Sequence, residues 1–281
     1  NVSSIFKFMS GEDYHIEALK NDNVYFSKFT DLNDPYEGLL HFSYKNVTDS
    51  IRMTLYANGL AKEGNISLSE GRKKAERLRQ KEGIEKVREI VNEWTEIAFE
   101  DYRNFHLENR FVLSVAIQKE DDLFPAPLTS MMMWSHYAKG MRGLCVEFDY
   151  QKLLDSIQTL NELDVSTRLV SYSNKHLPRV CARTVIEDFI KDNGKAGLEM
   201  INAFCTKHSG WSYENELRFL GSKHGLVNYD TSAVKRIFVG HKNKALLQTV
   251  KEIVRSKNLN VPVYTVNIRP KTYGLGFVEA I

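Results

Sequence analysis

The chain has 281 residues, of which 42% are hydrophobic and 26% are charged. Its 38 Lys and Arg residues against 36 Asp and Glu residues leave a formal net charge of +2. This is the composition of an ordinary globular protein, and it excludes disordered, collagen-like and disulfide-rich classes. The small charge bias gives no argument for a nucleic-acid or membrane-surface protein.

Cysteine usage and hydropathy bear on the cellular compartment. Cys145, Cys181 and Cys205 lie far apart and have no metal-ligand spacing, as is usual in a reducing environment. No apolar run reaches the roughly 18 residues of a membrane span. The amino end lacks the apolar core of a signal peptide. We therefore expect a cytoplasmic protein without membrane association.

The first half of the chain predicts two strands followed by a long helical block. The predicted elements are strands at 2–9 and 23–28, a helix at 12–20 and a turn at 31–35. Residues 39–108 are helical in pattern, with Ser67 and Glu70 at the spacing of a capping box. We interpret this block as a helical insertion. Six Lys and Arg residues crowd 72–81, but interleaved glutamates favour a solvated helix face over an RNA-binding patch.

The second half alternates between short strands and helices. Strands are predicted at 110–118, 144–149, 169–173, 212–220, 236–239 and 261–268, helices at 130–139, 182–207 and 242–256, and a loop at 121–129. Short, irregularly spaced strands with clustered helices favour the α+β class over a doubly wound sheet. We predict one domain over 1–281 with a mixed or antiparallel sheet core.

The segment 211–219 (WSYENELRF) carries the most informative set of side chains. If it forms a strand, Glu214, Glu216 and Arg218 share one face at steps of about 7 Å. Two carboxylates and a guanidinium can raise one carboxylate pKa, hold ribose hydroxyls and neutralise phosphate. The alternative is the solvated face of an amphipathic strand, where ion pairs contribute little.

A second candidate is the segment 133–140, which combines aromatic rings with a histidine. Trp134 or Tyr137 would provide a stacking surface for a ligand, and His136 a polar anchor. The alternative is a half-buried helix whose aromatic rings and histidine belong to the core.

The third candidate is the loop that follows the second predicted strand. Asn33, Asp34 and Glu37 would contact a substrate if this loop lies at the mouth of a cleft. The alternative is a rigid turn, since Asn and Asp satisfy local backbone groups, and this explains all but Glu37.

Three separated segments, VYFSKFTDLNDPYEG (24–38), MWSHYAKGMRGLCVEFD (133–149) and WSYENELRF (211–219), together resemble the bacterial domain-of-unknown-function family 2971. The opening FKF at 6–8 stands where that family usually has Tyr-Lys-Tyr. The family name implies kinship and no activity.

A looser similarity concerns the first two strands. The strand FKF, a short helix and the strand VYFS look like the opening of mono-ADP-ribosyltransferase folds. That resemblance implies a split sheet and NAD as the substrate, with no metal. Such folds place a polar residue on the first strand, a Tyr or Ser on the second, and a late Glu-x-Glu. Lys7, then Tyr25 or Ser27, then Glu214 and Glu216 would fill these places, although most such enzymes have His or Arg on the first strand.

The resemblance also implies roles for the candidate residues. Glu216 would hold the ribose of NAD and stabilise the developing positive charge, and Glu214 would orient or deprotonate the acceptor. The implied NAD-binding residues are Lys7, Tyr25, Ser27, Trp134, His136, Tyr137 and Arg218, and the substrate loop contains Asn33, Asp34 and Glu37.

The function expected from this resemblance is that of an NAD-consuming transferase or glycohydrolase, acting as a toxin or phage-defence effector. The acceptor, whether protein, nucleic acid or water, stays open. One alternative is a metal-dependent nuclease or hydrolase using Glu37, His136, Glu214 and Glu216. Another is a non-catalytic binding or sensor module.

Overall fold

The computed structural model describes residues 2–118 and 126–281. The chain forms two compact units. The first consists of Asn1–Pro35, Asn109–Asn174 and Lys207–Ile281, and the second of Tyr36–Glu108 and Lys175–Thr206. The predicted helical insertion at 39–108 lies in the first segment of the second unit. The loop predicted at 121–129 falls mostly outside the described residues.

Fourteen strands and ten helices are present in the described part of the chain. The strands are β1 (Ser4–Met9), β2 (Asn23–Lys28), β3 (His41–Ser43), β4 (Phe111–Ile117), β5 (Leu144–Asp149), β6 (Ser166–Leu169), β7 (Ser171–Ser173), β8 (Arg179–Cys181), β9 (Thr206–His208), β10 (Glu216–Gly221), β11 (Gly225–Asn228), β12 (Val234–Gly240), β13 (Val263–Ile268) and β14 (Leu275–Glu279). The helices are α1 (Asp13–Lys20), α2 (Asp49–Glu63), α3 (Leu68–Glu82), α4 (Ile84–Asn109), α5 (Ala126–Thr129), α6 (Met131–His136), α7 (Tyr150–Asn161), α8 (Ala182–Lys191), α9 (Lys195–Phe204) and α10 (Lys244–Ser256). Short 3-10 segments lie at Phe29–Asp31, Ser209–Glu214 and Thr231–Ala233.

A ten-stranded mixed sheet organises the first unit. Its order is β11-β2-β4-β1-β5-β12-β13-β14, and β10 pairs with both β4 and β6. Strands β12 and β13 are parallel, whereas the β1, β4, β5 and β10 pairings are antiparallel. The predicted combination of helices with a mixed sheet core is confirmed.

The sheet opens along one edge of β4. On that edge β1 pairs with β4 at Ala116 and Ile117, and β2 pairs with it at Phe111 and Val112. The residues between these two contacts, 113–115, have no strand partner on this edge within the described chain. On the opposite edge, β10 pairs with β4 along 111–116. The sheet is therefore continuous through β10 and parted between β1 and β2.

Alternating side chains give the sheet two apolar faces. Ile5, Leu113 and Val115 lie on one face, where helices α1, α7 and α10 contribute to the same core. Phe6 and Phe8 lie on the other face, where the side chains of α6 cover them. Each large apolar side chain that is fully buried stabilises the fold by about 1.5–3 kcal/mol.

The second unit is mainly helical. Ala75, Val87 and Val91 are fully buried in a core that α2, α3, α4 and α8 share. The capping box of Ser67 and Glu70 is present at the start of α3, as the spacing predicts. The Lys and Arg residues of 72–81 are exposed, and Arg79 is paired with Glu76. Among the described residues, no helix combines the length and the apolarity that crossing a bilayer requires.

Several predicted elements differ from the observed ones because of backbone turns. The strand predicted at 212–220 begins only at Glu216, since a 3-10 segment precedes it and Asn215 takes a left-handed φ of 47°. The helix predicted at 182–207 breaks where Asp192 and Gly194 adopt positive φ. Helix α7 and strand β14 were not predicted.

Gly143 is a close-packed position between the end of β1 and the start of β5. A Cβ atom there would press on the carbonyl oxygen of Met9 and lie 2.9 Å from the Cα of Ala138. We expect Gly143→Ala to lower the free energy of unfolding by about 1–3 kcal/mol, because both neighbours are backbone atoms. Gly276→Ala is the matched control, since its Cβ would meet no atom closer than 3.7 Å. Equal urea midpoints for the two variants would contradict the expectation.

Candidate active site

A cavity of about 370 Å³ opens in the first unit beside β1, β4 and β10. Strands form its floor, and α6 and the segment 31–33 form its walls. The lining residues are Phe6, Lys7, Phe8, Asp31, Leu32, Asn33, Ser114, Val115, Ala116, Met133, His136, Tyr137, Lys207, Glu214 and Glu216. Polar and charged side chains thus meet an apolar wall in one concave site, which is the usual character of small-molecule pockets.

Four charged side chains of alternating sign lie buried in a row beside this cavity. The Lys207 ammonium contacts Glu214 Oε2 at 2.9 Å and Glu216 Oε2 at 2.8 Å. The Arg218 Nε donates to Glu216 Oε1 at 2.8 Å. All four side chains are at most 6% exposed. Each carboxylate therefore has a cationic partner, as buried charges require.

The turn at Asn215 brings both carboxylates of the row to the cavity. Its left-handed conformation joins the 3-10 segment that ends at Glu214 to the strand that begins at Glu216. The Asn215 side-chain amide donates to the carbonyl of Ile117 at 2.7 Å. The Ile117 amide donates back to the Asn215 carbonyl at 2.9 Å. These two bonds fix the turn on the end of β4.

The two carboxylates have pKa values shifted in opposite directions. Burial raises the pKa of Glu214, and its contacts with Lys207 and Tyr137 offset only part of that effect. Burial acts in the same sense on Glu216, but Arg218 and Lys207 outweigh it and lower the pKa to about 2. Glu216 is therefore held ionised, whereas Glu214 takes up a proton more readily. Such pairs are typical of acid–base sites.

A polar wall of the cavity positions Glu214. The Tyr137 hydroxyl donates to Glu214 Oε1, and the Asn33 amide donates to the Tyr137 oxygen at 2.9 Å. Burial and the neighbouring Glu214 carboxylate raise the pKa of Tyr137, so the hydroxyl keeps its proton and remains a donor. His136 Nδ1 lies 2.8 Å from the hydroxyl of Tyr213.

Lys7 reaches the cavity from the opening of the sheet. Its ammonium donates to the carbonyl of Ser114 at 3.0 Å, in the part of β4 that neither β1 nor β2 covers. Burial lowers the pKa of Lys7, and the charge of Glu216 partly offsets this.

The structure brings together six of the residues predicted from sequence. Lys7, Asn33, His136, Tyr137, Glu214 and Glu216 all line the cavity. Residues from four distant stretches of the chain thus meet at one site. The burial of Glu214 and Glu216 contradicts the alternative of a solvated strand face.

Two other predicted residues are buried and do not line the cavity. Trp134 is fully buried, its indole N–H donates to the carbonyl of Leu128 at 2.7 Å, and its ring packs edge-on against Phe8. It is a core residue and offers no stacking surface. Arg218 is also fully buried, under Phe29, and acts on the cavity through Glu216.

The remaining predicted residues lie elsewhere. Tyr25 and Ser27 line a second cavity of about 710 Å³ in the first unit, which shares Lys7 with the first one. The Tyr25 hydroxyl lies 3.1 Å from His224 Nε2. Asp34 is buried in the first unit, and Glu37 lies in the second unit.

Sequence reasoning missed Lys207, the residue that joins the two carboxylates. It lies on β9, seven positions before Glu214, in a stretch predicted as helix. A buried lysine has no signature of its own in a single sequence. The nearest signal is the proximity of a lysine to a segment with two glutamates on it.

Within the described residues, no group of three or more His, Cys, Asp or Glu side chains has the arrangement of a metal site. The ammonium of Lys207 occupies the space between Glu214 and Glu216 where a divalent cation would bind both.

A family model described as "Protein of unknown function (DUF2971)" matches residues 133–219. The matched segment contains two of the three motifs that carry the resemblance, 133–149 and 211–219, and the resemblance to this family is confirmed. The description of the family assigns no activity. The comparisons with curated proteins and with solved structures gave no match.

Removal of Lys207 is expected to destabilise the first unit strongly. Lys207→Met leaves two buried carboxylates short of a cation, which costs about 3–5 kcal/mol of unfolding free energy. Lys20→Met is the control, because Lys20 and its partner Glu17 are 46% and 59% exposed, and we expect a change within about 0.5 kcal/mol. Urea unfolding measures both variants. A similar loss of unfolding free energy in the two variants would show that the buried ion pairs stabilise the fold no more than an exposed pair does.

The low pKa of Glu216 predicts a pH-dependent contribution to stability. Its pKa is about 2 in the folded protein against 4.5 for an unperturbed glutamate, so ionised Glu216 stabilises the fold fully above pH 4.5. That contribution is lost as the pH falls toward 2. The difference in unfolding free energy between the native protein and Glu216→Gln should therefore narrow on acidification through this window. Urea unfolding at several pH values in this window measures the difference. A difference that stays constant or widens on acidification would contradict a lowered pKa for Glu216.

Proposed function

We propose that the first unit cleaves the bond between nicotinamide and ribose in NAD, as an ADP-ribosyltransferase or NAD glycohydrolase. One observation carries the proposal. Glu214 and Glu216 are neighbouring buried carboxylates that face one cavity with oppositely shifted pKa values. Cleavage of a glycosidic bond uses such a pair, one group to stabilise charge and one to handle a proton.

The chemistry assigns Glu216 to the sugar. When the bond from C1′ of the ribose to the nicotinamide nitrogen breaks, both bonding electrons leave with nicotinamide and C1′ becomes oxocarbenium-like. An ionised carboxylate that accepts hydrogen bonds from the ribose hydroxyls holds the sugar and stabilises this positive charge. Arg218 and Lys207 keep Glu216 ionised and fixed for that role.

Glu214 is then the group that receives the proton. With water as acceptor, the water oxygen bonds to C1′ and one of its two protons passes to Glu214. The products are ADP-ribose, nicotinamide and one proton. The Tyr137 hydroxyl and the Lys207 ammonium orient Glu214 for this step. A protein or nucleic-acid hydroxyl would enter by the same route.

We propose further that the sheet is the split sheet of ADP-ribosyltransferase-like folds, and its opening supports this. Strands β1 and β2 leave β4 at opposite ends of its edge, and the cavity lies at the parting. We also propose that the protein acts in the cytoplasm, where NAD is available. Its consumption there would make the protein a toxin or phage-defence effector.

Release of nicotinamide tests the proposal. Purified protein incubated with NAD, with and without cell lysate as a source of acceptors, should release nicotinamide on chromatography. We expect Glu216→Gln and Glu214→Gln each to slow the release by about 100-fold or more, because one loses charge stabilisation and the other the proton acceptor. Glu12→Gln is the control, since Glu12 is exposed and pairs with the exposed Lys139.

Three results would count against the proposal, and two of them distinguish its alternatives. Intact NAD with the folded native protein in both tubes would exclude NAD cleavage. Cation-dependent cleavage of a nucleic acid, with NAD left intact, would favour the metal-dependent nuclease or hydrolase. If all variants bind NAD as the native protein does without turnover, the binding-module alternative is favoured.

A further inference from the structure

The helical second unit contains a cavity of its own, of about 270 Å³. Helices α2, α4 and α8 form its walls, and all three belong to the second unit. None of its lining residues belongs to the candidate active site of the first unit. A closed apolar cavity of about 150 Å³ holds a benzene molecule. The cavity of the second unit therefore has room for an apolar group of about one ring. Its apolar lining consists of Leu55, Trp94, Ala98, Val185, Ile186 and Phe189.

Close packing of the helices gives this cavity a defined shape. The Trp94 ring lies against α2 at Gly59, where a Cβ atom would overlap the ring. Leu55 is 4% exposed and belongs to the core of the unit. By contrast, Ile97 and Phe189 are 55% and 41% exposed. Apolar surface thus continues from the core to the mouth of the cavity, and a bound apolar group would remove part of it from water.

The mouth of the cavity carries a net negative charge. Its ionisable side chains are Lys62, Glu63 and Asp101, all of them exposed. The Lys62 ammonium donates to the carbonyl of Phe189 at 3.1 Å and lies 4.2 Å from the centroid of the Phe189 ring. Neither Glu63 nor Asp101 makes an ion pair with any residue that the structure describes. The mouth is therefore complementary to a ligand that carries a positive charge.

We propose that this cavity binds a small amphipathic amine. Its apolar group enters between α2, α4 and α8, and its ammonium group stays at the mouth beside Glu63 and Asp101. The apolar lining supports the first contact, and the two carboxylates without an ion pair support the second. An aromatic ring in the ligand would pack against the rings of Trp94 and Phe189. The proposal does not rest on NAD cleavage in the first unit.

Titration with phenethylamine, followed by NMR at the tryptophan indole groups, tests this assignment. The chain has three tryptophans. Trp94 lines the cavity of the second unit, Trp134 is fully buried, and the Trp211 ring lies 6.4 Å from that of His136 at the cavity of the first unit. We expect a saturable shift of the Trp94 signal alone, with Trp94→Phe identifying that signal.

A neutral compound with the same ring separates the charge from the apolar contact. We expect 2-phenylethanol to shift the same Trp94 signal but to bind about three- to tenfold more weakly than phenethylamine, because it forms no ion pair with the exposed carboxylates. Phenylacetate should bind more weakly still, since its charge has the sign of the mouth.

Two kinds of variant test the two contacts. Ala98→Phe and Ala98→Leu place apolar atoms in the cavity, so we expect both to abolish binding of phenethylamine and of 2-phenylethanol. The double variant Glu63→Gln, Asp101→Asn should lower the affinity for phenethylamine to that for 2-phenylethanol and leave the latter unchanged. Glu93→Gln is the matched control, because Glu93 is an exposed carboxylate of α4 outside the cavity, and both affinities should stay as in the native protein.

Four outcomes would overturn the proposal. These are no shift of the Trp94 signal with phenethylamine, a shift of the Trp211 signal alone, and equal affinities of a folded Ala98→Phe variant and the native protein for phenethylamine. The fourth is equal affinity of the native protein for phenethylamine and 2-phenylethanol, which would exclude recognition of the amine. A native dimer in sedimentation that Ala98→Phe converts to monomers would assign the cavity to a contact between two copies of the chain instead. If Ala98→Phe fails to fold, Ala98→Leu and the carboxylate variants decide. Nicotinamide release enters none of these measurements, so its absence would leave this proposal standing.

Discussion

The fold of the first unit buries four charged side chains, and the rest of the site depends on their being paired with one another. A carboxylate or ammonium moved into a protein interior loses several kcal/mol of hydration, which only close partners of opposite sign can offset. Glu214, Lys207, Glu216 and Arg218 meet this requirement at distances of 2.8–2.9 Å. Because these distances must hold, β9, the turn at Asn215 and β10 have to keep a fixed relative position. The pairing of β10 with both β4 and β6 holds β10, the bonds of Asn215 to Ile117 hold the turn, and β9 pairs with β7.

The row of charges is asymmetric, and its asymmetry gives the site its chemical character. Glu216 lies between two cations, whereas Glu214 has one cation and the neutral hydroxyl of Tyr137. The same burial therefore leaves one carboxylate strongly ionised and the other readily protonated. Only Asn215 separates the two glutamates, yet their neighbours give them different pKa values, because the electrostatic effect of a cation depends on its distance from each carboxylate.

Local patterns were sufficient to predict much of the fold. Strands at 23–28 and 144–149 match β2 and β5, since runs of β-forming residues between turns define both ends. The start of β10 could not be predicted, because the left-handed conformation of Asn215 is stabilised by hydrogen bonds to Ile117, about 100 positions away in the chain. Sequence patterns do not show such long-range partners.

The same limit applies to the candidate site. Glu214 and Glu216 stand out because two carboxylates and an arginine share one short segment. In sequence, a core tryptophan and a ligand-stacking tryptophan look the same. Trp134 is a core residue, since its buried N–H donates to a backbone carbonyl, and only the packing shows this. Lys207 has no local signal. It becomes informative through its burial and through its contacts with two carboxylates.

The site is assembled from two parts of the chain with different physical tasks. The segment matched by the family model, 133–219, contains Tyr137 and all four members of the charged row. Lys7 and Ser114 lie outside it, Lys7 on β1 and Ser114 on β4, the strand from which β1 and β2 part. The contacts of the charged row, together with burial, shift the pKa values of Glu214 and Glu216 in opposite directions. The contacts that set the ionisation of the two carboxylates therefore lie within the matched segment, whereas Lys7 reaches the same cavity from a strand near the start of the chain.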